Sequence, residues 1–265
     1  MSLSPFLKWV GGKRRHIKRL KPLLPKIFGT YYEPFLGSGA IFLSLQPDRW
    51  VVGDTNPALI QCWLDVKNKP EELMDELDRL IEDYDFTNDR EAYYYAVRKS
   101  FNEKINSAMM IFLNSTCYNG VWRTNKKGAF NGSWNKDFFK PVFPTRENIT
   151  RISAFLNKTE GKFVCGDWKT TLKGVSAGDL VFCDPPYLNC FAQYCKDGFD
   201  EKDHKELADR LKHLTGVKVI ATNSNNARIR ELYHGFHFQE IEISHNVSPN
   251  KEGRKCEKKE IVLWR

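Results

Sequence analysis

Asp184-Pro185-Pro186-Tyr187 places a carboxylate and an aromatic ring at a rigid bend directly after the apolar run Leu180-Val181-Phe182-Cys183. Two consecutive prolines are costly inside a strand, since each lacks the N–H that a ladder needs. The chain must turn sharply there, at the carboxyl edge where open α/β sheets bind their ligands. An acid and an aromatic held rigidly at that edge can accept hydrogen bonds from an exocyclic amine and stack on its ring. A proline turn with a capping Asp explains the same four residues in isolation; the strand before them and a glycine motif upstream favour the chemical reading.

That upstream motif is Pro34-Phe35-Leu36-Gly37-Ser38-Gly39, between the strand-like Tyr31 to Phe35 and a helix beginning at Ala40. Glycines there let a ligand approach the backbone, and a helix N-terminus favours its anionic end. Asp54 closes the next strand, Trp50 to Asp54, seventeen residues after Gly37. A carboxylate about 20 residues beyond the turn is suited to gripping ribose hydroxyls. The third glycine of the dinucleotide fingerprint is absent, because Phe42 stands in its place, which suits a cofactor without phosphates. Phe6-Leu7-Lys8-Trp9-Val10-Gly11-Gly12-Lys13 adds an aromatic, two glycines and a lysine, a plausible cap over a small zwitterion and equally a loop.

The elements that must position these residues alternate. Helical spacing covers Asn56–Lys67, Pro70–Asp83, Arg90–Glu103 and Ala108–Leu113, and an amphipathic helix runs over Glu201–Leu214. Strand-like runs return at Phe163–Cys165, Leu180–Cys183, Val217–Ala221, Phe236–Ile243 and Ile261–Trp264. Strands alternating with helices predict a largely parallel sheet covered on both faces. The stretch 56–146 is too long for a loop and is expected to be a second domain.

The 265 residues suit one to two domains. With 41% hydrophobic residues and 13% aromatics, intrinsic disorder is excluded. No apolar run approaches the ~18 residues of a membrane span, and the N-terminus lacks a secretory signal. Seven cysteines without a Cys-x-x-Cys pair read as reduced thiols of a cytoplasmic protein. Cys183, Cys190 and Cys195 lack a paired ligand knuckle, so no metal is expected. The net charge of +8 is segregated. Residues 1–30 hold eight bases and no acid; 53–97 hold twelve acids and four bases; 98–146 hold nine bases and two acids. Two positive regions around an acidic stretch fit either a polyanion-binding face or solvated helix faces.

Taken in order, FLKWVGGK, EPFLGSG, GDTNP and DPPY resemble the Dam-type, or D12 class, DNA adenine-N6 methyltransferases. Leu113–Arg123 (LNSTCYNGVWR) and Gly128–Asn131 (GAFN) are similar to that family's target-recognition hairpin, and the likeness spans nearly the whole chain. The resemblance implies a Rossmann-like methyltransferase sheet with an inserted, mainly helical recognition domain containing a hairpin. Its parts would be 1–55 and 147–265 for catalysis and 56–146 for DNA. It implies S-adenosylmethionine as donor and adenine in double-stranded DNA as acceptor; an asymmetric target face that engages one strand at a time suits a monomer, with no obligatory protein partner expected.

The likeness also carries residue roles. Trp9, Gly11, Gly12 and Lys13 would line the methionine end of the cofactor, above the Phe35, Gly37, Ser38 and Gly39 turn. Asp54 would hold the ribose, and Asp167 and Trp168 the cofactor's adenine. Asp184 and the Pro185 carbonyl would accept from the target amine, with Pro186 stiffening the bend and Tyr187 stacking on the extruded base. Lys8, Tyr118, Asn119, Val121, Arg123 and Asn131 would contact DNA. Arg123 suits base readout, its fork matching guanine O6 and N7, with a phosphate contact as the alternative. Lys126, Lys127, Lys136 and Lys140 are expected on phosphates, and Lys251–Lys259 either extends that footprint or is a solvated loop. The acidic 53–97 stretch is expected to face away from DNA.

Two departures bear on specificity. Gly132-Ser133-Trp134-Asn135 replaces an apolar-Pro-aromatic-Gly segment, and Ser115-Thr116-Cys117 replaces an Arg-led stretch, so a GATC target is a guess. Methylation of cytosine N4, RNA adenine or protein glutamine is the first alternative; Asp184 favours adenine, because related enzymes tend to carry Ser or Asn before Pro-Pro-Tyr, and the hairpin segment favours duplex DNA. A non-catalytic DNA-binding relative is the second, and intact Asp184, Tyr187, Gly37 and Gly39 speak against it.

Overall fold

A computed structural model describes residues 3–137, 141–188, 199–241 and 260–265. Seven strands, β1 (Tyr31–Glu33), β2 (Arg49–Asp54), β3 (Glu160–Cys165), β4 (Leu180–Cys183), β5 (Lys218–Ser224), β6 (His237–Ile241) and β7 (Glu260–Trp264), form one sheet. Its order is β3-β2-β1-β4-β5-β7-β6. β1 runs parallel to β2 and β4, and β4 parallel to β5. The expected parallel sheet thus forms the centre, and β7 joins β5 and β6 antiparallel at one side. All four β4 residues are buried, as an unbroken apolar run in a doubly covered strand requires.

The helices are α1 (Ile17–Leu20), α2 (Ala40–Leu45), α3 (Pro57–Asn68), α4 (Pro70–Phe86), α5 (Arg90–Glu103), α6 (Ser107–Thr116), α7 (Arg146–Lys158), α8 (Trp168–Thr171), α9 (Glu201–Lys212) and α10 (Ala227–Leu232). Side-chain oxygens start many of them: Asn56 caps α3, Asp89 caps α5, Asn106 caps α6, and Asp200 with Asp203 closes a capping box on α9. None of the described helices is long and apolar enough to cross a membrane. Helix α7 carries no expectation from the sequence, because its first turn is polar. Its buried face is Ile149, Ile152, Phe155 and Leu156, at three- and four-residue spacing. Its first residue, Arg146, pairs with Glu71, Asp75 and Asp78 at 2.7, 2.8 and 2.6 Å. Part of the acidic stretch is therefore neutralised within the fold.

The chain divides into two compact units. The first comprises Met1–Ile17, Leu36–Asp48 and Asp54–Gly166; the second comprises Lys18–Phe35, Arg49–Gly53 and Asp167–Arg265. In the first, Trp63 is fully buried, edge-on to Phe6 at 4.7 Å and to Phe42 at 6.1 Å, and stacked on Phe163 at 5.7 Å. In the second, Leu207, Ala208 and Leu211 of α9 and Ile229 of α10 pack with Val181, Val219, Ala221 and Ile261 of the sheet.

Local packing also dictates the glycine turn after β1. Gly37 and Gly39 have φ of +48° and +63°, left-handed values that side chains resist. A Cβ on Gly37 would lie 2.7 Å from Trp9, and one on Gly39 2.6 Å from Trp63. The Trp63 indole donates to the Gly37 carbonyl at 3.2 Å. Gly39→Ala is expected to cost about 1–2 kcal/mol from backbone handedness alone, and more from the Trp63 clash. Chemical denaturation checks this; a variant as stable as wild type would show that the turn tolerates a side chain.

Candidate active site

Parallel pairing sets Cys183 of β4 opposite Ala221 of β5, so Asp184 leaves the strand beside the next β5 residue, Thr222. The Thr222 hydroxyl, itself buried, donates to Asp184 Oδ1 at 2.5 Å. Two residues on, the Ser224 hydroxyl donates to the Leu188 carbonyl at 3.2 Å. Residues i and i+2 of a strand share a face, so β5 grips both ends of the bend. Burial pushes the Tyr187 phenol well above its ordinary ionisation, and Asp184 and Glu260 push it further. Tyr187 is therefore a neutral ring near pH 7. His204 of α9 is fully buried, edge-on to Phe199 at 4.7 Å. Its burial lowers its pKa, with the Pro186 backbone and the nearby acids Asp203, Asp200 and Glu201 opposing.

The first unit gathers the glycine turn and Asp54. Asp54 Oδ2 accepts from the Gly37 N–H and Oδ1 from the Asn56 N–H, each at 3.0 Å. Burial raises its pKa; backbone N–H groups of Asn56, Gly37 and Thr55 hold the charged form against that rise. Ser38 is buried. Phe35, which belongs to the second unit, lies edge-on to Phe199 at 5.4 Å.

The N-terminal segment folds as a tight turn, in which the Gly12 N–H donates to the Trp9 carbonyl at 3.0 Å and Gly11 takes a φ of +77°. Lys13 is buried and its ammonium donates to the Gly11 carbonyl at 2.6 Å. Trp9 lies nearly parallel to Trp122, with ring centres 6.3 Å apart. Asn114 of α6 binds this segment from beneath. It accepts from the Lys8 N–H at 2.8 Å, and donates to the Lys8 carbonyl at 2.8 Å and the Gly120 carbonyl at 3.3 Å. Burial lowers the Lys8 pKa, with Cys117 opposing.

Residues 117–134 do form a hairpin. Cys117 bridges Trp134 and Thr124 bridges Phe130, both antiparallel. The Asn125 carboxamide accepts from Lys127 and Ala129 N–H groups, closing the tip with Gly128 at φ +80°. Helix α5 anchors the returning arm: Asn102 exchanges two hydrogen bonds with the Phe130 backbone, and Tyr94 and Arg98 both donate to the Gly132 carbonyl at 2.9 Å. Phe130 stacks under Trp122 at 4.2 Å. Arg123, Lys126, Lys127, Asn131 and Lys136 are exposed, Tyr118 is 52% exposed, and Val121 is half-buried. Asn119 takes φ +57°.

Asp167 and Trp168 have structural duties. The Asp167 carboxylate caps α8 through the Thr170 N–H at 3.0 Å, and Trp168 is buried in the core of the second unit, with Lys169 over its ring at 5.6 Å. Lys140, Cys190, Cys195, Lys251–Lys259 and the end of the expected 236–243 strand lie outside the described residues. Asn114, Thr222, Ser224 and His204 escaped the sequence reading. The available signals were a lone amide in an otherwise apolar helix and a Thr-Asn-Ser run ending an apolar strand.

Comparisons with known proteins identify the family. The family model of the D12 class N6 adenine-specific DNA methyltransferases matches residues 9–248. The type II methyltransferase M1.LlaDCHI of Lactococcus lactis subsp. cremoris is 32% identical, covering 96% of this chain and 93% of the relative. A DNA adenine methylase of Vibrio cholerae is 30% identical, over 94% and 91% of the two chains. The DNA N-6-adenine-methyltransferase of Escherichia phage P1 is 34% identical over 91% of this chain, a third of its own length. The chain belongs to the D12 class N6 adenine-specific DNA methyltransferases, enzymes that methylate adenine in DNA.

Proposed function

We propose that this enzyme transfers a methyl group from S-adenosylmethionine to N6 of an adenine flipped out of a short duplex target, GATC or a related sequence. The observation that carries the reading is Asp184, held by a hydroxyl at the carboxyl end of a buried strand and followed by a rigid Pro-Pro-Tyr bend.

Chemistry sets the division of labour. A stacked, paired adenine cannot present its amine to a cofactor, so it must leave the helix at a cost of a few kcal/mol. The neutral Tyr187 ring offsets part of that by stacking, worth about 1–3 kcal/mol for bases on aromatic platforms. The amine's lone pair is delocalised into the purine. Accepting its N–H groups at Asp184 and the Pro185 carbonyl draws that pair back onto nitrogen, and the carboxylate stabilises the positive charge that develops there. When bound, the cofactor supplies an electrophilic methyl on a sulfonium.

The residues fit such a cofactor. Asp54 spends three of its roughly four acceptor directions on the backbone N–H groups of Asn56, Gly37 and Thr55, which leaves one for a ribose hydroxyl. The glycine turn keeps its backbone bare, and Trp9 offers an aromatic face beside it in the same unit. Phe35, Gly37, Ser38 and Gly39 form the turn beneath the cofactor, and Gly11, Gly12 and Lys13 bound its methionine end. Asp167 and Trp168 would hold the adenine ring.

Segment 56–146 serves as the target-recognition domain, with 1–55 and 147–265 catalytic. In the hairpin, Arg123 reads a guanine, Lys126 and Lys127 meet phosphates, and Lys8, Tyr118, Asn119, Val121 and Asn131 shape the contact with DNA. Working as a monomer in the cytoplasm needs no further protein.

The direct test incubates plasmid DNA with methyl-labelled cofactor, followed by modified-base analysis and long-read mapping. Label in N6-methyladenine at one short sequence is expected; label in N4-methylcytosine, or none, overturns the reading. Arg123→Ala should relax target choice, losing about 1–3 kcal/mol of discrimination at one base pair. Lys126→Ala should weaken all sequences alike and lower the salt slope of binding by about 1. Identical target profiles and salt slopes for the two variants would contradict the assignment. Asp54 costs stability, because its raised folded pKa makes ionisation work against folding as pH rises from about 3.9 through the folded value. Asp54→Asn should therefore gain stability relative to wild type as pH rises through that range, while cofactor affinity falls at least about tenfold, by loss of charge-assisted bonds. Calorimetry checks both, and unchanged affinity would remove Asp54 from the cofactor site.

A further inference from the structure

We infer that Thr222 is the positioning residue of the transfer step, its hydroxyl on β5 setting the plane of the Asp184 carboxylate. The inference rests on the reading in which Asp184 accepts from the target amine. A carboxylate at the end of a short bend can rotate about its Cβ–Cγ bond, and rotation swings both oxygens. Fixing Oδ1 on a donor fixes the direction of Oδ2 as well.

Thr222 has the attributes that this task requires. It is 1% exposed, so water does not compete for its hydroxyl. Its register is locked on both sides: β5 pairs with β4 through Ala221, one residue earlier, and Thr222 itself pairs with Val262 of β7. β-branching restricts its χ1, so the hydroxyl keeps one direction. It donates to Asp184 Oδ1, and hydroxyl-to-carboxylate bonds are among the stronger kinds. Ser224 on the same face holds the far end of the segment through the Leu188 carbonyl. The Tyr187 phenol also interacts with Thr222 and with Glu260, which pairs through the β5–β7 ladder with Ser224.

A hydroxyl that only satisfies buried polar groups would change stability when removed and leave the chemical step alone. A positioning hydroxyl changes the chemical step. Thr222→Val keeps the shape and removes the donor; Thr222→Ser keeps the donor. Four quantities separate the roles: kcat, KM for DNA, cofactor Kd, and the fluorescence of 2-aminopurine placed at the mapped target adenine, which reports base extrusion. Thr222→Val is expected to lower kcat about 10- to 100-fold, the scale of a small misplacement of reacting groups. KM, Kd and extrusion should stay within about threefold, and Thr222→Ser should recover most of kcat.

Should Thr222→Val not fold, Thr222→Cys replaces it, because a thiol of similar size is a weak donor; a reduced kcat is expected there too. A kcat within twofold of wild type for the Val or Cys variant, or a Ser variant as slow as the Val variant, overturns the inference. Wild-type enzyme that makes no N6-methyladenine contradicts the functional reading itself. Active wild type matched by Thr222→Val overturns Thr222 alone.

Discussion

The parallel pairing of β4 with β5 is the constraint on which the rest of the structure depends. β4 is buried along its whole length, so its end is a place where a carboxylate would lose its hydration without repayment. Asp184 stands there because the neighbouring strand presents a hydroxyl one residue beyond the last β4 partner. The two prolines then stop the segment from continuing as strand or relaxing into helix. Shifting the register by one residue would turn Thr222 to the other face, because side chains alternate along a strand. In the proposed mechanism, sheet registry and catalytic geometry are one property.

The same economy appears around Asp54. Its burial works against ionisation, and three backbone N–H groups keep the charge affordable. One of these belongs to Gly37, whose bare backbone also makes room for Trp9. The glycine turn thus serves aromatic packing and, in the proposed function, cofactor approach, and a side chain there would offend both. The exposed basic hairpin, proposed to meet DNA, hangs from α5 and α6 by Asn102, Tyr94, Arg98 and Asn114. These bonds give a loop rich in polar residues a fixed shape, which the proposed sequence readout needs.

Much of this was legible in the sequence where one local rule decides the outcome. Leu180–Cys183 is apolar throughout, preceded by Gly178-Asp179 and followed by Asp184-Pro185-Pro186, so both its ends were readable; Pro70 marked a helix start; the hairpin was legible only through the family resemblance of 113–123 and 128–131. Helix α7 was missed because its capping turn is polar and its apolar face is spaced three and four apart among charges. The antiparallel β7 depends on pairing with β5, which no local pattern encodes. Thr222 and Asn114 were invisible as functional residues for the same reason. Their meaning comes from partners 38 and 106 residues away along the chain. Charge was half legible: the acidic stretch could be counted, but its neutralisation by Arg146 arises from tertiary contact.

The central claim is that Asp184 acts on the chemical step and not on binding. Single-turnover methyl transfer by Asp184→Ala, measured beside cofactor and DNA affinity, tests it most directly. The account predicts that the transfer rate falls by about 10³ or more, the scale of losing a transition-state charge partner, while both affinities stay within about threefold. A transfer rate near that of wild type, or a loss explained wholly by weaker binding, would contradict it.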